Sequence, residues 1–276
     1  MSVLAADSPP LAPRTGDDAR PPVQPLLTVD QARLAFGGLQ ALDGVSFAVP
    51  RGKLSSLIGP NGAGKTTLFN ALSGLLRVDS GHMAFEGQAI EALAPEQITA
   101  LGLVRTFQIA RGFPMLTVFE HLMLYGQQQP GEGFWKALLG GRAARTFEEA
   151  LAERAWAIAR QLKLDHLIDN RVTALSGGQK KLLEIGRALM ARPKMILFDE
   201  PAAGVNPTLA ESIGDHLQGM VKDGMTVLII EHDMALIGRI SEHVIVMAAG
   251  ETLAEGSFDD VRNNVQVQDA YFGGRR

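Results

Sequence analysis

One short segment, Gly59–Thr67, constrains this sequence more than any other feature, because it reads Gly-Pro-Asn-Gly-Ala-Gly-Lys-Thr-Thr. It fits the pattern G-x-x-x-x-G-K-[ST], whose glycines let backbone amides wrap a polyphosphate without Cβ clashes. The apolar run Leu54–Ile58 precedes it and an apolar helical pattern follows, which is the strand–loop–helix context that the motif requires. The helix would direct its positive end at the phosphates, Lys65 would reach the terminal ones, and the Thr66 hydroxyl can ligate Mg²⁺. The segment therefore predicts a phosphate-binding loop.

Two acidic residues follow a second apolar run. Met195–Phe198 is followed directly by Asp199 and Glu200. Paired carboxylates at the end of a buried strand are costly unless a cation or another partner compensates them. Asp199 suits a Mg²⁺ ligand, and Glu200 suits a base that polarises an attacking water.

A third segment, Leu175–Gln179, reads Leu-Ser-Gly-Gly-Gln at the start of an apolar helical pattern. A serine and two glycines at a helix N-terminus can form a second anion-binding end. The same residues can also form a turn with an N-cap serine. By itself, this segment favours the turn with an N-cap serine.

Composition excludes several classes of protein. Apolar residues make up 46% of the chain, which is ample for a core. The absence of cysteine excludes a disulfide scaffold, a thiolate metal site and a cysteine nucleophile. A net charge of −4 gives no electrostatic footprint for nucleic acid, so no nucleic-acid partner is expected. No apolar run approaches the roughly 18 residues needed to span a bilayer.

The pattern along the chain predicts an α/β core with a helical insertion. Residues 1–25 are rich in proline and lack an apolar period, which predicts a flexible tail. Strand patterns prevail from Leu26, helical ones within Glu91–Leu175, and the two alternate thereafter. The end of the chain, 258–272, is typical of a short helix. The sum predicts two subdomains around one site.

The motifs, taken together, resemble those of an ABC-type ATPase in order and spacing. They are the Gly59–Thr67 loop, Gln108, Leu175–Gln179, Asp199-Glu200 and His232. The resemblance implies an α/β P-loop ABC ATPase fold with a RecA-like core, an antiparallel β subdomain and a helical subdomain. The implied ATPase domain covers 26–256, with the helical subdomain inserted at about 92–185, and the family's C-terminal helix covers 257–276.

The resemblance also implies roles for individual residues in ATP hydrolysis. Glu200 would be the base, His232 would contact the γ-phosphate, and Gln108 would touch Mg²⁺ or water and hinge the helical subdomain. Mg²⁺ would be held by Thr66, Gln108 and Asp199. The residues implied to bind ATP are Phe36, Gly59, Asn61, Gly62, Gly64, Lys65, Thr66, Thr67, Ser176, Gly177, Gly178 and Gln179.

The resemblance also bears on the dimer segment Ser176–Gly178 and on two single positions, Phe36 and Asn206. In a head-to-tail dimer, Ser176–Gly178 would act on the ATP of the other subunit. Phe36 would stack on adenine, unless it is a core aromatic at a strand end. Asn206 stands where the family commonly has an aspartate, and it keeps hydrogen-bonding ability but not charge.

Several segments are similar to the LivG-type ATPase subunits of branched-chain amino-acid importers. They are Arg105–Gln108, Lys181–Ile185, Glu200–Pro207, Ile230–Met234 and Asp269–Gly273. The resemblance implies an ATPase at the cytoplasmic face of the inner membrane. Its implied partners are transmembrane permease subunits, a second ABC ATPase or a second copy of itself and, indirectly, a substrate-binding protein. The transported substrate stays open between branched-chain amino acids and related small polar molecules. The alternatives are the ATPase of an envelope-lipid exporter and a non-transport ABC protein.

Overall fold

The computed structural model describes residues 24–106, 113–126 and 142–272. The strands are β1 (Pro25–Phe36), β2 (Leu39–Pro50), β3 (Leu54–Ile58), β4 (Ser80–Phe85), β5 (Gln88–Ala89), β6 (Leu103–Arg105), β7 (Met195–Asp199), β8 (Thr226–Ile230), β9 (His243–Ala248) and β10 (Glu251–Gly256). The helices are α1 (Lys65–Leu72), α2 (Pro95–Leu101), α3 (Val118–Leu124), α4 (Arg142–Gln161), α5 (Gly177–Met190), α6 (Pro207–Lys222), α7 (Met234–Ile240), α8 (Phe258–Arg262) and α9 (Val265–Phe272).

The central element is a six-stranded sheet in the order β10-β9-β3-β8-β7-β6. All of its neighbouring strands run parallel except the edge strand β10, which is antiparallel to β9. Every residue of β3 and β8 is buried. Such continuous burial is what a parallel strand covered on both faces requires.

A second sheet is antiparallel and has the order β2-β1-β4-β5. One core lies among this sheet, α1 and the central sheet, and includes Leu27, Phe47, Phe69 and Leu228. A second core covers other residues of the central strands with α3, α4, α5 and α6. The central sheet and these four helices therefore share the second core, which is continuous between them.

The helical insertion begins later in the chain than predicted. Residues 92–105 were expected within the helical subdomain, but β6 pairs in parallel with β7 in the central sheet. Helix α2, just before it, buries Ile98 in the core beside α1. A strand as short as Leu103–Arg105 gives too few residues for a recognisable pattern, so only the pairing identifies it.

The chain ends also differ in detail from the expectation. The strand β1 begins at Pro25, within the predicted tail, whose residues 1–23 lie outside the described residues. The predicted C-terminal helix is two helices, α8 and α9, because the Asn264 side chain accepts the Gln266 amide at 2.9 Å and starts a new helix. Within the part of the chain that the structure describes, no helix is long and apolar enough to cross a membrane.

Candidate functional site

The predicted site residues converge at the carboxyl ends of three neighbouring strands. The phosphate loop follows β3, His232 lies just after β8, and Asp199 ends β7. The carboxyl edge of a parallel sheet is where open α/β folds bind their ligands. The topology therefore brings together motifs that are far apart in the sequence.

The phosphate loop needs glycine at two positions because its own neighbours leave no room. A Cβ on Gly59 would lie 2.1 Å from the Met247 carbonyl oxygen, and one on Gly64 would lie 2.5 Å from the Ala41 carbonyl oxygen. Gly62 has φ of 80°, a left-handed conformation that favours glycine, although a Cβ there would meet nothing within 4 Å. Gly59 and Gly64 thus let the loop lie close against its neighbours, whereas Gly62 faces open space.

Lys65 folds back over the loop. Its Nζ donates to the carbonyl oxygens of Gly59 at 2.7 Å and Pro60 at 3.0 Å, and the residue is only 6% exposed. Burial lowers the pKa of Lys65, and the carboxylates of Glu200 and Asp199 oppose that effect. A lysine ammonium has three N–H donors, so a group that enters the loop can still receive one.

Asp199 forms an ion pair that the sequence did not reveal. Arg105 donates from Nη2 to Asp199 Oδ2 at 2.8 Å and from Nη1 to Asn70 Oδ1 at 2.6 Å. The guanidinium carbon lies 5.8 Å from the centroid of the Phe69 ring. Arg105 therefore ties the end of β7 to α1, the helix that begins at the phosphate loop.

Glu200 and His232 face each other beside this pair. His232 Nε2 lies 2.7 Å from Glu200 Oε1, and both side chains are partly exposed. Glu200 has φ of 50°, and its amide donates to the Ile230 carbonyl at 3.0 Å. A non-glycine residue in this region is strained, and such strain clusters at functional sites.

A further buried acid, Glu231, was not predicted as part of the site. It accepts the amide of Ala202 at 2.8 Å and that of His232 at 3.2 Å, and it is 4% exposed. Burial raises the pKa of Glu231, and the two amide bonds oppose the rise. The signal in the sequence was a carboxylate directly after the apolar run Val227–Ile230. Glu231 connects the segment after Glu200 to His232.

The segment Leu175–Gln179 starts α5 with a reciprocal cap. The Ser176 hydroxyl accepts the Gln179 amide at 3.3 Å, and the Gln179 Oε1 accepts the Ser176 amide at 2.8 Å. A Cβ on Gly178 would lie 2.0 Å from Leu209 Cδ2, whereas one on Gly177 would meet nothing within 4 Å. The capping interpretation is thus correct, and it leaves Ser176 and Gly177 exposed.

The remaining predicted residues fall in different places. Phe36 is 49% exposed at the end of β1, so it is not a core aromatic. Asn61 and Thr66 are exposed, and Thr67 is partly buried. Asn206 caps α6, where its Oδ1 accepts the Leu209 amide at 2.9 Å. Gln108 lies outside the described residues.

A groove of about 230 Å³ lies on one side of the shared core, between the α2–β6 segment and the ends of α3 and α5. Its walls include Ile98, Arg105, Tyr125, Glu184 and Arg187. The Arg187 guanidinium stacks 3.9 Å from the centroid of the Tyr125 ring and also donates to its hydroxyl. The groove therefore reaches from the Arg105–Asp199 pair to the end of α3.

Comparison with known proteins relates this arrangement to one family. The family model described as ABC transporter matches residues 42–203, and the one described as branched-chain amino acid ATP-binding cassette transporter matches residues 251–276. A probable branched-chain amino acid transport ATP-binding protein LivG of Archaeoglobus fulgidus is 41% identical over 240 residues, covering 86% of this chain and 91% of that protein. The high-affinity LivG protein of Escherichia coli is 37% identical over 252 residues, covering 91% and 98%.

Solved structures agree with the sequence relatives. A nucleotide-free ATP-binding cassette from an ABC transporter is 40% identical, with a TM-score of 0.79, and covers 90% of this chain and 99% of its own. The ADP conformation of an ATP-binding cassette has the same identity, coverage and TM-score. These matches confirm the predicted P-loop ABC ATPase fold and the predicted resemblance to LivG-type subunits. The chain belongs to the ABC transporter family, as one of its ATP-binding cassettes.

Proposed function

We propose that this chain is the ATP-hydrolysing subunit of an importer for branched-chain amino acids or a related small polar substrate. The observation that carries the ATPase chemistry is the Glu200–His232 pair, 2.7 Å apart, on the sheet edge that also bears the phosphate loop. The transport assignment is supported by LivG relatives that align along 86–91% of the chain and by the separate match of residues 251–276.

In this proposal, ATP lies along the phosphate loop with adenine stacked on the exposed Phe36 ring. The backbone amides of the loop and the N-terminus of α1 receive the phosphates, because the first turn of a helix has N–H groups without intrahelical partners and carries positive partial charge. Lys65 donates to the terminal phosphates. Its low exposure excludes water around the ammonium, which strengthens that interaction.

Mg²⁺ fits the donors that the chain offers at this edge. The Thr66 hydroxyl and the Asp199 carboxylate are hard oxygen ligands, and Gln108 is a further candidate. Among the described residues, no cluster of three His, Cys, Asp or Glu could hold a metal by itself, which suits a cation bound partly by phosphate oxygens. When bound, Mg²⁺ would supply positive charge that neutralises the negative charge developing on the phosphates during hydrolysis.

Hydrolysis in this proposal depends on positioning. Glu200 accepts a hydrogen bond from the attacking water and takes its proton as the water oxygen bonds to the γ-phosphorus. The bond between the γ-phosphorus and the β-phosphate oxygen breaks in the same step, which leaves ADP and inorganic phosphate. His232 holds the Glu200 carboxylate at 2.7 Å, and its imidazole would stabilise the γ-phosphate oxygens. Glu231 accepts the amides of Ala202 and His232, so it holds His232 and the segment after Glu200 in fixed relative positions.

The active unit in this proposal is a head-to-tail dimer. Ser176 and Gly177 are exposed, and the chain's own packing explains why Gly178 is glycine but not why Gly177 is. A phosphate from another subunit could approach Gly177 closely, because no Cβ stands in the way. The partner cassette is either a second copy or a related ATPase.

A membrane permease is the other proposed partner, and it would dock at the groove between the α2–β6 segment and the ends of α3 and α5. The groove offers an apolar wall and the charged side chains of Glu184 and Arg187. Phe113 and Met115, which lead into α3, are both more than half exposed. A short amphipathic helix from a permease suits such a surface, and this assignment places the chain at the cytoplasmic face of the membrane.

The proposal is tested by purifying the tagged chain from its native membranes in mild detergent and identifying what accompanies it by mass spectrometry. We expect two multi-span permeases together with a second ATPase. A Tyr125→Ala, Arg187→Ala variant should lose the permeases and still bind ATP. Soluble partners alone, or a lipid-export permease, would overturn the importer assignment while leaving the ATP site intact.

A further inference from the structure

The turn that follows the proposed base is held against the neighbouring strand β8. Glu200 has φ of 50°, and such a conformation in a non-glycine residue persists only where the surrounding structure fixes it. Its amide donates to the Ile230 carbonyl oxygen at 3.0 Å, and its own carbonyl oxygen accepts the Ala203 amide at 3.1 Å. The first of these bonds ties the start of the turn to β8, and the second closes the turn.

A buried carboxylate makes a second tie between this turn and the end of β8. Glu231 directly follows β8 and is 4% exposed, and its Oε1 accepts the Ala202 amide at 2.8 Å. Its Oε2 accepts the His232 amide at 3.2 Å. One side chain thus bonds both to the turn that carries Glu200 and to the residue that lies 2.7 Å from the Glu200 carboxylate.

The two bonds use both oxygens of the Glu231 side chain. An ionised carboxylate has two acceptor oxygens, whereas a glutamine of the same shape has one oxygen and one NH2 group. A glutamine here would therefore set a donor against the N–H of Ala202 or of His232. Packing alone does not account for the glutamate, because burying a charge is costly and an apolar side chain could fill the same space. The charge is explained by the two amides that it fixes.

The same bonds keep Glu231 away from the reacting atoms. Its oxygens are occupied by backbone amides, and the residue is almost fully buried. The Glu200 side chain, by contrast, is 37% exposed and open to a water molecule. The role that this geometry gives to Glu231 is to position the residues that react.

We propose that Glu231 is a positioning residue for ATP hydrolysis, which holds the strained turn of Glu200 so that the base keeps its orientation toward His232 and the attacking water. This inference rests on the proposed role of Glu200 as the base. Both bonds of Glu231 go to residues outside the phosphate loop. Loss of the carboxylate should therefore slow the chemical step and leave nucleotide binding unchanged.

The test is Glu231→Gln in the full chain, because this variant keeps the shape of the side chain and removes one acceptor. A misplacement of about 1 Å can cost roughly a hundredfold in rate, so kcat is expected to fall by about ten- to a hundredfold. KM and the equilibrium affinity for ATP should stay within about twofold. The rate is expressed per nucleotide-binding site, so that chains that fail to fold are not counted. Glu242→Gln, at an exposed glutamate 3.9 Å from Lys53, is the matched control and should keep both constants.

A double variant tests whether Glu231 acts through Glu200. Once Glu200→Gln has removed the base, adding Glu231→Gln should slow single-turnover hydrolysis little further, because residues that act as a unit give non-additive losses. Losses that multiply in the double variant would show that Glu231 acts independently of the base, which contradicts the inference.

Two further outcomes would overturn the inference. One is an unchanged kcat per binding site in Glu231→Gln, and the other is a loss of ATP affinity as large as the loss of kcat, which indicates general structural support. Glu200→Gln, measured alone in the same assay, separates this inference from the function on which it rests. If Glu200→Gln hydrolyses ATP at the full rate, the assignment of the base fails; if it loses turnover and Glu231→Gln does not, only the role of Glu231 fails.

Discussion

Glu200 and His232 are 32 residues apart in sequence, yet His232 Nε2 lies 2.7 Å from Glu200 Oε1. Glu200 directly follows β7, and His232 lies just beyond β8. The two residues meet because these strands are adjacent and parallel. The strained φ of Glu200 directs its side chain to this contact. The pair joins the proposed base to the residue that would stabilise the γ-phosphate.

The first prediction concerns the base. Glu200→Gln should leave nucleotide affinity within about twofold and lower ATP hydrolysis at least about a hundredfold, because an amide cannot polarise water as a carboxylate does. Phosphate release and equilibrium nucleotide binding measure the two effects. Glu251→Gln, at an exposed position on β10, is the control and should keep full activity. Full turnover in Glu200→Gln would show that another group is the base.

The second prediction separates the two glycines of the Leu175–Gln179 segment. Gly177→Ala should keep the Tm, since its Cβ meets nothing, but lower ATP hydrolysis at the dimer interface. Gly178→Ala should lower the free energy of unfolding by about 1–3 kcal/mol, because Leu209 must move. Thermal denaturation and phosphate release on both variants check this. Equal loss of Tm in the two would contradict the interface role of Gly177.

The third prediction concerns the ion pair between Arg105 and Asp199. Arg105→Gln should lower the free energy of unfolding by about 1–3 kcal/mol, because it removes bonds to Asp199 and Asn70 and leaves a partly buried carboxylate without its cation. Arg105→Lys should recover part of the loss, since it restores charge but not the two-pronged geometry. Urea denaturation measures both. The prediction fails if the lysine variant is no more stable than the glutamine variant.

The fourth prediction is a pH dependence of stability. Burial lowers the pKa of His121, with a smaller effect from the Arg187 cation, although its bond to the Phe113 carbonyl opposes the shift. Burial likewise lowers the pKa of His216. The unfolded chain therefore takes up protons first, and the free energy of unfolding should fall as the pH drops below about 6.5.

Urea denaturation at about pH 8, 7 and 5.5 measures this slope. His121→Gln should flatten it, with His216 carrying the remainder, whereas the exposed His166→Gln should leave it unchanged. A slope that does not change in His121→Gln would show that the buried imidazole is not its source.

The motifs of the site were predictable because phosphate chemistry demands particular residue types at particular spacings. The structure brings Lys65, Asp199 and Glu200 together at the carboxyl edge of the central sheet. The contacts of Arg105 and Glu231 could not be predicted, because an arginine and a glutamate are common residues and their roles come from contacts between distant segments. Sequence spacing carries no information on such contacts until the topology is known.

In the fold as well, elements with a pattern of their own were predictable, and elements that arise from contacts with other segments were not. Fully buried strands such as β3 give clear apolar runs, and the run Leu54–Ile58 has the bounds of that strand. The three-residue β6 was missed because its strand character arises from pairing with β7. The break between α8 and α9 arises from a local side-chain cap at Asn264, which competes with helix continuation.

The close packing of the Gly59 backbone against the Met247 carbonyl affects how the binding energy of the nucleotide is used. A loop whose backbone is already confined loses little conformational entropy when the nucleotide arrives. The attraction between phosphates and amides is then available for mechanical work, such as drawing a second cassette closer. The packing beneath the loop therefore favours nucleotide binding, because little of the binding energy is lost in ordering the loop.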